Sequence, residues 1–390
     1  MSDRPVLLAM VRGEEGNRRD LLLCGAVPSA DATTPVVLRC DGVPFGVTAA
    51  DASVEMPVPE GTMPFTYPLP IDLLDGARHQ YTAEILDGAV SAPLAARLPA
   101  AAQPTKKPIT AAIGAIVKNE APYLVEWYAY HRMLGFEHFT IYDNGSTDDT
   151  AAILAILAET GTVTTKSWTQ PEAPQFSAYA DILAAMRGRA EWLLFADLDE
   201  FLILPRHKGV QDFLGWHRGA SAIALNWAMF GSGGQSRYDP RPVTARFTQR
   251  AERDFVTNRH AKTMVRPERA LRMSIHHAQL AGGRYTGAGG ERLCVTTPFT
   301  GHTGRVDWSL GQLNHYFCKS REEWQAKRQR GRADMKNADP RKIRREADFD
   351  ELDRNEVSDT AALGMQAALG AAIAELRDRF PALAPYCPEI

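Results

Sequence analysis

The period of hydrophobic positions changes once along this chain, at about residue 105. Before that point the pattern is short: Asp20-Leu21-Leu22-Leu23-Cys24 and Pro35-Val36-Val37-Leu38-Arg39 are apolar runs separated by turn residues. Asp75-Gly76 and Asp87-Gly88 bracket residues 79–85, which read as one strand entered and left by tight turns. Such spacing predicts a small all-β sandwich over residues 1–103. Residues 99–108 hold prolines at 99, 104 and 108 and keep neither a strand nor a helix period, the composition of a linker.

After the linker, apolar Ile109–Val117 predicts a strand. A helix follows, with Tyr123, Leu124, Trp127, His131 and Leu134 at three- and four-residue spacings and Gly135 placed to cap it. Residues 136–142, 162–167 and 192–196 then alternate as strands with helices over 148–159 and 176–187. Alternation of this kind predicts a parallel sheet covered by helices, whose ligands bind beyond the carboxyl ends of its strands. Past Asn226 the pattern weakens into glycine-rich loops at 231–234 and 282–290, and residues 360–380 are alanine-rich and helical in spacing. No internal repeat is visible. The expected domains are 1–103, 104–345 and a helical C-terminal extension over 346–390.

Hydrophobic residues, 45% of 390, suffice for a large core, and a net charge of -3 supplies no global field for nucleic acid. Cys24, Cys40, Cys294, Cys318 and Cys387 lack zinc-ligand spacing, read as structural thiols and suit a reducing compartment. Charge interrupts the N-terminal residues before an apolar core of signal-peptide length forms, and no stretch approaches the ~20 apolar residues of a membrane span. The expectation is a cytoplasmic protein without a transmembrane segment.

Candidate chemistry gathers at strand ends. Residues 192–196 are apolar and run straight into Asp197-Leu198-Asp199-Glu200. On an extended chain residues two apart face the same way. Asp197 and Asp199 are therefore placed to share a hard cation, Mn2+ or Mg2+, with the oxygens of a diphosphate; a solvated acidic turn is the plainer alternative. Asp143 and Asn144 can reach a nucleoside, although Ser146, Thr147 or Asp148 would equally make an ordinary turn and helix cap. Lys118-Asn119-Glu120 ends the first strand in the same way and doubles as a helix start. Tyr179 reads as core. His315 can complete a metal shell through a neutral ring nitrogen and Lys319 can meet phosphate, against the commoner structural role of a single histidine. Between Lys319 and Arg345, eleven Lys or Arg face four acids. That excess fits a solvated helical face paired with the acids that follow it, or a surface for diphosphate, acidic glycan or membrane headgroups at the inner face of a membrane.

Taken in order, these pieces resemble the bacterial family-2-like glycosyltransferases related to glycosyltransferase family 92. The resemblance runs over about residues 109–362 and rests on Lys118-Asn119-Glu120 with Glu126-Trp127, Tyr142-Asp143-Asn144, Asp197-Leu198-Asp199-Glu200, Asn226-Trp227, Lys262, His315-Tyr316 with Lys319-Ser320, and Lys327 with Arg330-Gly331. It implies a GT-A (Rossmann-like) mixed α/β sheet with helices on both faces. It also implies a nucleotide-sugar donor, UDP-linked, and a glycan or lipid-linked acceptor, with inversion, in surface polysaccharide or lipopolysaccharide assembly. Lys118, Asn119, Glu120, Asp143, Asn144, Asp197 and Lys319 are the expected donor-binding set, and Asp197, Asp199 and His315 the metal set. Asn144 stands where many family-2 enzymes have a second aspartate, and no later Glu-Asp pair supplies the base. Asp254, Glu200 and Asp307 are the candidates for it, in that order. One rival is a sugar-1-phosphate nucleotidyltransferase, which would want a glycine-rich basic loop that residues 113–120 lack. The other is a non-catalytic glycan-binding protein built on the β unit.

Overall fold

The computed structural model describes the chain except residues 1–3, 16–17, 30–34, 52–53, 55, 70–72, 74–76, 86–88, 98–108, 171, 281–282, 294–299 and 337. The two Asp-Gly turns, the linker, Gly282 and Cys294 therefore lie outside the described residues. The chain divides into two compact units, one comprising residues 1–107 with 268–271 and 280–283, the other the remainder.

The first unit is all antiparallel. Val6–Glu15, Arg18–Pro28 and Thr62–Pro68 form one sheet; Val43–Thr48, Val36–Cys40, Arg78–Ile85 and Leu94–Arg97 form a second. Leu23, Val27, Val36, Leu38, Phe65, Tyr67, Tyr81 and Ile85 share one core, which makes the pair a sandwich.

The second unit is built on a nine-stranded mixed sheet. Its order from one edge is Val163–Ser167, His138–Asp143, Ile109–Val117, Ala190–Phe195, Ala261–Val265, Ala222–Met229, Gln312–His315 and Glu200–Ile203, with Tyr285–Gly287 also pairing Ala222–Met229. The first four are mutually parallel, as the alternating pattern predicts. Ala261–Val265 then enters antiparallel to both its neighbours, so the sheet is mixed, as the family resemblance implies, while the alternating pattern accounts only for its four parallel strands. Periodicity could not reveal this, because the strands after residue 200 are short or fully buried and carry no alternation.

Helices cover both faces, and strand alternation shows how. Ala111, Ile113, Ala115 and Val117 belong to one core with Leu124 and Trp127 of helix Ala121–Met133 and Ile153 of helix Thr150–Ala158. Gly114 points the other way: a Cβ there would sit 2.7 Å from Ile182 of helix Pro174–Met186. That close approach requires glycine. Gly135 ends the first helix in the left-handed region, φ +97°, with Gly135 N donating to Arg132 O and Phe136 N to His131 O, a Schellman cap. Helix Gln366–Arg379 buries Leu369 and Ile373 in the same core and packs against helix Ala121–Met133. Among the described residues no helix is long and apolar enough to cross a membrane.

Helix Arg321–Arg330 carries much of the later chemistry and is fixed by a buried charge network. Ser320 and Glu323 close a capping box. Glu323 also accepts two hydrogen bonds from Arg246, at 2.7 and 2.9 Å, and one from the Tyr123 hydroxyl at 2.9 Å. Burial raises the Glu323 carboxyl, but the hydrogen bonds and charge of Arg246 outweigh it and hold the group below its ordinary 4.5. A depressed carboxylate adds stability that is present above the unfolded pKa and fades as pH falls through the folded one. Glu323→Gln is thus expected to cost ~3–5 kcal/mol at pH 7, the cost of breaking a buried pair. Urea denaturation over a pH series should show the gap from the native chain closing below pH 4.5.

Candidate active site

The strand Ala190–Phe195 stops short of the acids. Asp197 and Asp199 lie in a turn closed by Glu200 N donating to Asp197 O (3.0 Å), after which Glu200–Ile203 starts a new strand. The extended-chain argument for their shared orientation is therefore wrong. Asp197 is half-exposed and Asp199 4% exposed, and across the turn each meets different partners. Both nevertheless line one cleft of about 690 Å³, a volume typical of small-ligand sites.

Each aspartate is met by a buried lysine. Lys262, fully buried on the strand Ala261–Val265, donates to Asp197 Oδ2 at 2.8 Å and stands 3.6 Å from Glu200 Oε2. Lys327, from helix Arg321–Arg330, donates to Asp199 Oδ2 at 2.5 Å and to the Phe317 carbonyl at 2.8 Å. Unpaired, such charges would be costly to bury. Burial alone would raise the Asp199 carboxyl, yet Lys327 and His315 bring it well below its ordinary value. Burial pulls the Lys327 ammonium down to about 8 in spite of Asp199. His315 Nε2 lies 3.5 Å from Asp199 Oδ1, while its buried Nδ1 has no hydrogen-bond partner among the described residues.

Glu200 is fully buried and its oxygens are engaged, one accepting from Asp197 N at 2.8 Å and the other from the Trp227 indole at 2.6 Å. Burial, reinforced by Asp197 and Asp199, pushes its carboxyl up to about 8 against the pull of Lys262. Trp227 in turn stacks on His260, with ring centroids 5.0 Å apart, and abuts His276 and His315, making an aromatic wall of the cleft. Glu200 thus positions Trp227 and the Asp197 turn.

The expected donor-binding residues separate into two groups. Lys118, Glu120, Asn144 and Asp197 line the cleft. Asn119 and Asp143 serve the turns instead: Asn119, at φ +51°, accepts from Thr147 N at 2.8 Å, and Asp143 accepts from Ser146 N at 3.1 Å. Asp148, the other half of the turn-or-ligand alternative, accepts from Ala121 N and Thr150 N at the two helix starts. Lys319 is buried elsewhere, its ammonium 4.1 Å from the Tyr123 ring centroid, and is not among the cleft's lining residues. Asp254 is exposed and Asp307 caps Ser309 N at 2.8 Å; neither lines the cleft. Tyr179 is core, as expected, with its hydroxyl 3.3 Å from Asp197 Oδ1.

The sequence assigns Trp227 and Lys262 no role, and it treats Lys327, Arg330 and Arg344 only as members of the basic run, without placing any of them at the acidic cluster. A lysine within Ala261-Lys262-Thr263-Met264-Val265 was a readable signal, since a charge inside a buried strand demands a partner. Lys327, at three- and four-residue spacing from Trp324 and Glu323, was another. Lys262→Met should strand Asp197 beside Glu200 and Asp199 and cost ~3–5 kcal/mol. Adding Asp197→Asn should recover part of that loss, and a double-mutant cycle by chemical denaturation reads the coupling.

Comparison with known proteins agrees with the motifs. The model for Glycosyltransferase family 92 matches residues 107–351. A glycosyltransferase family 92 protein of Ricinus communis is 33% identical over 182 residues, 42% of this chain and 30% of that protein. Galactan beta-1,4-galactosyltransferase GALS2 of Arabidopsis thaliana is 29% identical over 183 residues, covering 43% and 35%. The chain therefore spans about a third of the length of these relatives. Among solved structures, TarS of S. aureus in complex with UDP aligns at 16% identity and TM-score 0.27 over 40% of this chain and 47% of that one. Glucosyl-3-phosphoglycerate synthase of Mycobacterium tuberculosis in complex with Mn2+, UDP-glucose and phosphoglyceric acid aligns at 15% and 0.27, over 49% and 73%.

Proposed function

The chain belongs to glycosyltransferase family 92, and from that premise we propose that it is a GT-A type glycosyltransferase. Its donor in this reading is a nucleotide-diphosphate sugar, UDP-linked, and its acceptor a glycan or lipid-linked saccharide. Transfer proceeds with inversion and serves surface polysaccharide or lipopolysaccharide assembly, the setting suggested by the motifs' likeness to bacterial enzymes. The observation that carries the reading is the single cleft that brings together Asp197, Asp199, His315, Lys327 and Lys118 with Asn144 and Gly145 at the end of a neighbouring strand.

Carboxylates suit Mn2+ or Mg2+, and Asp197, Asp199 and His315 line the same cleft with His315 Nε2 toward Asp199. Their ligand atoms are not gathered within 4.8 Å of one another, so the side chains would draw together on binding an ion. Asp197, Asp199 and His315 would hold the ion, which when bound offsets the charge of the leaving diphosphate. Lys262 and Lys327 already neutralise much of the two carboxylates' charge. Affinity for the bare ion is accordingly expected to be weak and to rise when a nucleoside diphosphate brings its own oxygens. Trp227, held by Glu200, lines the cleft, and Asp197 is kept in orientation by Lys262, Tyr179 and Gln175. The acceptor proton needs a carboxylate. The positions of Asp254 and Asp307 outside the cleft, and of Glu200 behind Trp227, argue against all three as that base.

Asp199→Asn keeps the side-chain volume and is expected to cut turnover of UDP-sugar by about 10²-fold or more, the scale of losing one charge-stabilising group. Full turnover in this variant with Mn2+ present would defeat the assignment. In thermal melts of the native chain, UDP and Mn2+ together should raise the midpoint by more than the sum of their separate shifts.

A further inference from the structure

The basic run over residues 319–345 folds into two faces with different electrostatics. Outward, Arg321 pairs with Glu346 and Asp350, Arg328 with Glu346, Arg341 with Asp339, and Arg345 with Asp348 and Glu351. Those charges are matched. Toward the cleft, Arg330 pairs with Glu120, Arg332 with Asp334 and Lys327 with Asp199. Lys118, Lys342 and Arg344 also line it, and among the described residues none of these three has a carboxylate within ion-pair distance.

These three cations come from two segments, Lys118 from one and Lys342 with Arg344 from the other, that one short stretch laces together. The Arg330 guanidinium donates to the carbonyls of Lys118 and Asn119, both at 3.1 Å. Gly331 then turns the chain at φ +76°, Arg332 N donates to Lys342 O at 3.0 Å, and the Arg344 guanidinium donates to Gly331 O at 3.1 Å. The Lys342 ammonium donates to Met335 O at 3.1 Å. Carbonyl partners hold Lys342 and Arg344 in place without cancelling their charge. Burial first, then Arg330 and Arg332 close by, push the Arg344 guanidinium down to about 10. Like charges held together in a cleft favour an anion, and a guanidinium with free donors suits the oxygens of phosphate.

We propose that Lys118, Lys342 and Arg344 form a seat for the two phosphoryl groups of the donor, one that takes a diphosphate without requiring a divalent ion. The proposal rests on the nucleoside-diphosphate reading of the cleft and adds to it the residues that grip the phosphates. Three unmatched cations answer a multiply charged diphosphate better than the single carboxylate of an acidic sugar.

Calorimetric titrations of the full chain in EDTA with UDP, inorganic pyrophosphate and uridine test it, using Arg344→Gln and, as a control from the outward face, Arg341→Gln. The native chain and Arg341→Gln should bind UDP and pyrophosphate. Arg344→Gln, with an unchanged melting midpoint in the absence of ligand, should bind both more weakly by about tenfold or more, the loss of a charged hydrogen-bond partner, while uridine is unaffected. Equal UDP and pyrophosphate affinity in Arg344→Gln and the native chain would overturn the seat, and so would native UDP binding no tighter than that of uridine. UDP-sugar turnover alongside unchanged phosphate affinity in Arg344→Gln would remove the seat and leave the glycosyltransferase reading. Pyrophosphate binding that Arg344→Gln loses, in a chain that turns over no UDP-sugar, would remove that reading and keep the seat.

Discussion

Two carboxylates cannot be set beside the centre of an apolar sheet unless cations are buried with them, and the second unit is organised around that constraint. Lys262 reaches Asp197 from the strand running antiparallel to Ala190–Phe195, and Lys327 reaches Asp199 from a helix more than a hundred residues later. Removing either lysine would leave charge in a place with little water to receive it. The mixed sheet, the turn after Phe195 and the seating of helix Arg321–Arg330 are parts of one electrostatic solution, which couples the architecture to the cleft.

The same logic extends outward from those pairs. Glu200 spends its oxygens on the Asp197 backbone and the Trp227 indole, so an acid that resembles a catalytic group in sequence becomes a strut for an aromatic wall. Glu323 ties Arg246, Tyr123 and the helix start together and so fixes the direction from which Lys327 arrives. Lys319 lies over Tyr123 beside that network, which explains why a lysine four residues from His315 does not reach the cleft. Positive charge there is supplied by Lys118, Lys327, Arg330, Arg332, Lys342 and Arg344.

Much of the fold was legible before any coordinates. The strand Ile109–Val117, the first three helices, the Gly135 cap and the first unit's strands Val36–Cys40 and Arg78–Ile85 appear where the hydrophobic period places them, within one or two residues at most ends, and Arg18–Pro28 extends well past the run at 20–24. The family resemblance was legible too, because ordered short motifs survive where single ones do not discriminate. The Asp197 to Asp199 geometry was misjudged: two-residue alternation assumes the strand continues, and it stops at Phe195. The antiparallel strand Ala261–Val265 was missed because a fully buried strand shows no alternation.

The sequence by itself determined the local periods, the position of the acidic cluster at a strand's exit, the presence of a strongly basic run and membership of a family. Those properties depend on neighbours a few residues apart. Which lysine meets which aspartate, which arginines turn inward and which are cancelled by acids on the outside, and which expected ligands are consumed by turns were decided only by the tertiary structure. Each of these depends on electrostatic partners brought together across long stretches of chain, and burial rather than spacing sets the strength of their attraction.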